Sequence, residues 1–122
     1  MSKDPRVYLA QMLERIERIE RFSAAGREAF AEDLMAQDAV IRNLEVIGEA
    51  AKRVPESFRK RHPDVPWRSL AALRDVLIHQ YEGVSIAALW DVIQNHLPPL
   101  RAALAVIVPS LAQLERELAG EE

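Results

Sequence analysis

The stretch WRSLAALRDVLIHQYEG, residues 67–83, lies between Pro66 and Gly83 and carries its apolar side chains at helical spacing. At about 100° per residue, counting from Leu70, the residues Trp67, Leu73, Val76, Leu77 and Ile78 share an arc that faces a core or a partner. Arg74 and Tyr81 fall in the middle of that arc, while His79 lies about 140° from Arg74 and close to Asp75, one turn earlier. An isolated charge on an apolar face is costly, so Arg74 must be paired or must line a wet cleft. Taken singly, each residue has a structural explanation. Arg74 suits an ion pair with Glu49 or Asp91, His79 suits the dipole of a helix C-terminus, and Tyr81 suits a core ring with its hydroxyl at the surface. Their concentration within eight residues favours a shared site.

Outward from this helix, the same periodicity makes the whole 122-residue chain helical. Asp4 is placed to cap a first helix with Pro5 at its first position, and Tyr8, Met12, Ile16, Ile19 and Phe22 follow on one face. Gly26 interrupts. A second helix is expected from about Glu28 or Leu34 to Val54, with Val40, Leu44, Ile47, Ala51 and Val54 as its seam. Pro55, Pro63 and Pro66 confine residues 55–66 to a helical turn and a loop. Trp67 to Tyr81 forms the third main helix, closed by Gly83. A fourth runs from a Ser85 cap to about Asn95, and a fifth starts at Pro98 and Pro99, with a kink or break at Pro109. No β-alternation and no internal repeat is present. The expected fold is all-α, an up-and-down bundle of four to five main helices forming one domain over residues 1–122.

Cysteine is absent, which excludes disulfides, thiol catalysis and thiolate metal sites and suits a reducing compartment. The start, MSKDPRVYLAQ, has no apolar signal-peptide core, so the expected location is the cytoplasm, away from membranes. The formal net charge is −3, but it is unevenly spread. Residues 52–74 carry seven basic side chains (Lys52, Arg53, Arg59, Lys60, Arg61, Arg68, Arg74) against only Glu56 and Asp64. A solvated surface and a polyanion site both fit such a cluster. The three histidines, His62, His79 and His96, lack metal-ligand spacing, and the four scattered glycines form no phosphate loop, so no metal or cofactor is expected.

Arg74-Asp-Val-Leu-Ile-His79-Gln-Tyr81 resembles the Arg-x-x-x-x-His-x-Tyr motif of HepT-like proteins, a branch of the HEPN superfamily. The likeness extends over QDAVIRNLEVIGEAAKRVPESFRKRHPDVPWRSLAALRDVLIHQYEGV, residues 37–84, and ALWDVIQNHLPPL, residues 88–100. The resemblance implies a HEPN-type bundle and a ribonuclease toxin paired with a minimal nucleotidyltransferase antitoxin. It implies Arg74 and His79 as catalytic residues, brought together with their copies in the cleft of a homodimer. It also implies Tyr81 as the acceptor of AMP units from the antitoxin. These residue types suit metal-free RNA cleavage, which needs a base, an acid and a cation for the phosphorane. One histidine cannot be base and acid at once, but two copies can.

Asn43, Lys52, Arg53, Arg68 and Asp75 are further candidates for substrate binding. Asn43 is expected to be solvent-facing, Gly48 to permit close helix packing, Trp67 to be core, His62 to lie in a loop and His96 to help cap the last helix. The acidic ends of the chain also fit a different class of function, a non-catalytic HEPN module that binds a nucleotide or a nucleotidyltransferase and uses Arg74 only as a phosphate ligand.

Overall fold

The computed structural model describes residues 4–70, 73, 77 and 85–120, and every regular element among them is helical. Helix α1, Pro5–Phe22, starts as its sequence dictates: Pro5 holds the first helical position and the Asp4 carboxylate accepts the Arg6 backbone N–H at 2.9 Å. The Arg6 guanidinium donates to the same carboxylate at 2.7 Å, and these bonds hold the Asp4 carboxyl below its usual range. At the other end Ser23 Oγ donates to the Ile19 carbonyl, and Gly26, at φ 100°, supplies the left-handed conformation that turns the chain.

The expected second helix starts at Leu34, the later of its two expected starts, as α3 (Leu34–Lys52), and a separate short helix, α2 (Arg27–Glu32), precedes it. Asp33 divides them. Its backbone is extended and its carboxylate caps α3 by accepting the Ala36 N–H at 3.0 Å, a conformation that cannot continue a helix. Helices α1 and α3 form the main packing pair of the bundle. Leu9, Met12, Ile16 and Ile19 bury fully in the same core as Val40, Leu44 and Ile47. Each such side chain contributes roughly 1.5–3 kcal/mol relative to exposure. The α1 stripe ends at Ile19; Phe22, read as its continuation, is 43% exposed.

After α3, the short helix α4, Glu56–Arg61, buries Phe58 beside Val54 and Val65 and so pins the proline-rich segment to the core. Ser69, Leu70, Leu73 and Leu77 are helical, with Leu73 fully buried and Leu70 and Leu77 packed against the core. The rest of the expected Trp67–Tyr81 helix and its closure at Gly83 lie outside the described residues.

Ser85 caps α5, Ile86–Asp91, accepting the Ala88 N–H at 3.1 Å. The expected break near Asn95 does not occur. A π-helical turn, Val92–His96, carries the chain directly into α6, Leu97–Ile107, with the Leu97 N–H reaching back to the Val92 carbonyl. Pro98 and Pro99 offer no N–H to the preceding turn, and a widened turn gives their rings room at the start of α6. The real break comes at Val108, which is extended ahead of Pro109, as residues before proline prefer. Ser110 then caps α7, Leu111–Leu118. The run Ile86–Leu118 is apolar enough in composition for a membrane span. It is nevertheless broken at Val108, and its Leu89, Leu97, Leu100, Leu104 and Leu114 belong to the bundle core. Both α6 and α7 pack on α1.

The α1–α3 seam should therefore govern stability. Leu44→Ala is expected to cost about 2–5 kcal/mol, read as a lower urea midpoint at unchanged slope. Val106, which is 87% exposed on α6, is the control: Val106→Ala should move the midpoint little, and equal effects of the two changes would contradict this core.

Candidate functional site

The basic segment folds into a cleft where α3 ends. Lys52 is the last residue of α3, Glu56, Arg59 and Lys60 come from α4, and Pro63 to Arg68 form the far wall. The cleft has a volume of about 830 Å³. Among the described residues its charged lining is four cations, Lys52, Arg59, Lys60 and Arg68, against the carboxylate of Glu56, over a floor that includes Val54, Val65 and Trp67. These described side chains are mostly basic although the whole chain is acidic.

Local contacts keep the cleft open in one shape. Arg59 donates from Nη2 to the Ala51 carbonyl, which at the end of α3 also accepts the Val54 N–H at 3.1 Å but has no donor four residues on, where Pro55 stands. Its guanidinium carbon sits 5.2 Å from the centre of the Trp67 ring, within cation–π range. Trp67 in turn donates its Nε1–H to the His62 carbonyl at 3.1 Å, and the His62 and Phe58 rings stack with centres 4.3 Å apart. Trp67 is thus a half-buried wall residue, more exposed than a core tryptophan. His62 does lie at a loop, as the residue that ends α4.

The other cations are held loosely. Lys60 lies 3.7 Å from Glu56 and Lys52 3.6 Å from Glu49, all well exposed, and such pairs contribute about 0–1 kcal/mol. Arg53 and Arg68 are exposed, and neither side chain makes a hydrogen bond or ion pair among the described residues. Of the sequence candidates, then, Lys52 and Arg68 line the cleft and Arg53 follows Lys52 as the cap of α3.

Asn43 is elsewhere. It is 5% exposed, not solvent-facing, with Nδ2 donating to the Ala39 carbonyl at 2.7 Å and Oδ1 accepting from Arg15 Nη1 at 3.3 Å. Spacing explains the correction: Asn43 is three residues after Val40 and four before Ile47, on the seam itself. Its amide is committed at both ends, Nδ2 within α3 and Oδ1 across the seam to α1. Gly48 also differs from expectation, since a Cβ there meets no described atom within 4 Å. His96 lies in the π turn, immediately before α6, with Nε2 3.3 Å from the Asp91 carboxylate. Arg74, Asp75, His79 and Tyr81 lie outside the described residues. Among the described residues no group of three or more potential ligands could hold a metal ion. Sequence reasoning did not single out Arg59 or Lys60 as site residues, although both belong to the charge excess it identified; Arg59 was recognisable only through its contacts.

Arg59 should matter for structure as well as charge. Arg59→Ala loses a charged hydrogen bond and a ring contact, for an expected cost of about 1–3 kcal/mol in denaturant unfolding. A cost near zero would show that the cleft wall stands without it.

A family model described as "Ribonuclease HepT-like" matches residues 12–107. "Probable ribonuclease HepT" of Thermococcus cleftensis is 43% identical over 105 residues, covering 83% of this chain and 93% of that protein. "Putative RNase TTE0752" of Caldanaerobacter subterraneus subsp. tengcongensis is 40% identical over 107 residues, covering 87% and 96%. A Methanocaldococcus jannaschii protein named "Gamma-glutamylcyclotransferase and putative RNase MJ0434" is 39% identical over 112 residues; the match covers 91% of this chain but spans only 50% of that relative. No solved structure matches the chain significantly.

Proposed function

This chain belongs to the ribonuclease HepT-like family, and on that premise we propose that it is a metal-independent endoribonuclease with Arg74 and His79 as its catalytic pair. The observation that carries the reading is the place of the basic cleft. Trp67 and Arg68 line it, and the segment they open continues to Arg74 and His79 within the span matched by the family model.

The chemistry follows from RNA itself. A base removes the proton of the 2′-hydroxyl, the 2′-oxygen attacks phosphorus, and the bond to the 5′-oxygen breaks as an acid protonates it. The products are a 2′,3′-cyclic phosphate and a free 5′-hydroxyl. Histidine can serve as either base or acid near neutral pH, and the arginine fork matches two non-bridging oxygens of the phosphorane. Two histidines, one from each protomer of a homodimer, supply base and acid together.

RNA should therefore be cut in EDTA and leave 2′,3′-cyclic ends. His79→Ala and Arg74→Ala should each lose about 10²-fold or more in rate while keeping the helical circular dichroism of the parent. Cutting that requires Mg²⁺, or that persists in His79→Ala, overturns the scheme. Binding of RNA or nucleotide with no cutting at all identifies the non-catalytic module.

The same reading makes the protein a toxin neutralised by a minimal nucleotidyltransferase that transfers AMP units to Tyr81. The adduct adds negative charge and bulk where RNA must enter. Tyr81→Phe should retain most ribonuclease activity and gain no AMP mass when incubated with the nucleotidyltransferase and ATP, while the parent gains it. Equal modification of both forms would remove Tyr81 from this role.

A further inference from the structure

The cleft at the end of α3 has a property that net charge does not explain: one of its cations is locked in place before any ligand arrives. Arg59 is tied by Nη2 to the Ala51 carbonyl and lies against the Trp67 ring, which is itself fixed through Nε1 to the His62 carbonyl. Only one of the five guanidinium N–H groups is engaged among the described residues, and Arg59 makes no ion pair there. A planar fork fixed in this way matches the oxygens of a phosphate diester with little further loss of rotamer freedom.

Around it stand three cations free to adjust. Lys52 and Lys60 have only long, exposed carboxylate contacts, and Arg68 has none among the described residues. Exchange of such weak pairs for a phosphate is easy, because water already screens them. At about 830 Å³ the open cleft is larger than one phosphate requires, as suits a strand passing through it.

We propose that this cleft is a phosphate-backbone site for single-stranded RNA, organised by Arg59, that positions the strand for cutting elsewhere on the protein. The choice of RNA as ligand rests on the ribonuclease reading. An acidic protein surface is the competing partner, because a guanidinium fork fits carboxylates as well as phosphates; the ribonuclease reading and the spread of four cations along an open cleft favour the RNA strand. The site carries no sequence information of its own, since cations on a backbone position a strand without reading its bases.

Binding and cutting must be measured separately. A 2′-O-methyl oligonucleotide cannot be cleaved by attack of the 2′-oxygen, and its fluorescence anisotropy against salt reports the backbone contacts alone. For the full-length protein, Lys52→Gln/Lys60→Gln/Arg68→Gln should flatten the slope of log affinity against log salt by about 2, because each phosphate contact to a single strand contributes roughly 0.7. Arg59→Lys keeps the charge and should leave the slope unchanged while weakening binding several-fold. Arg27 is exposed at the start of α2, outside the cleft, so Arg27→Gln controls for loss of a positive charge elsewhere on the surface and should leave the slope as in the parent.

If the triple variant binds with the parental slope, or Arg27→Gln matches its effect, the cleft is not the site. If the triple variant keeps its hold on RNA but loses binding to the nucleotidyltransferase, the cleft is a protein-docking surface and the proposal fails. A parent that binds in this cleft-dependent way yet never cuts RNA would sink the nuclease reading and leave the site standing. A parent that cuts RNA with no dependence on the cleft does the reverse.

Discussion

Everything in this bundle depends on the burial of one apolar seam between α1 and α3. Leu9, Met12, Ile16 and Ile19 share a fully buried core with Val40, Leu44 and Ile47, and α6 and α7 add to it by packing on α1. The seam sets the direction of α3, and the direction of α3 sets where Lys52 and the Ala51 carbonyl emerge. The basic cleft is built on that end. Without the seam, the charges of residues 52–68 would be neighbours along the chain with no common wall.

Within the cleft, two kinds of cation coexist for different physical reasons. Arg59 gives one N–H to a helix-end carbonyl that Pro55 cannot serve, and it rests on an aromatic face. Its order is therefore a consequence of folding. Lys52 and Lys60 meet only solvent-screened carboxylates at 3.6 and 3.7 Å, so their positions cost little to change. A rigid group beside adjustable ones suits a ligand whose phosphates repeat at fixed spacing while its conformation varies.

The long C-terminal arm shows how backbone constraints redistribute. Pro98 and Pro99 do not end a helix, because the π turn before them absorbs the missing donors and the bulk of the rings. Pro109 does end one, because Val108 adopts the extended conformation favoured ahead of proline and Ser110 stands ready to cap the next helix. The outcome thus turned on the residues flanking each proline.

Features governed by a few adjacent residues were legible in the sequence: the Asp4 and Ser85 caps, the stop at Gly26, the break at Pro109, and the apolar spacing of Met12, Ile16, Val40, Leu44 and Ile47. Each depends on local backbone preference or on helical period, and both are written into neighbouring positions. The charge excess of residues 52–74 and the resemblance to HepT-like proteins were legible for the same reason, as patterns along the chain. Only the tertiary structure decided that Asn43 faces Arg15 inside the seam, that Trp67 packs on the core at one side and walls the cleft at the other, and that Arg59 is the fixed cation of the cleft. Those outcomes depend on which surfaces meet. A side chain's partner across a helix interface lies eight, 28 or more residues away, and no local preference encodes that distance.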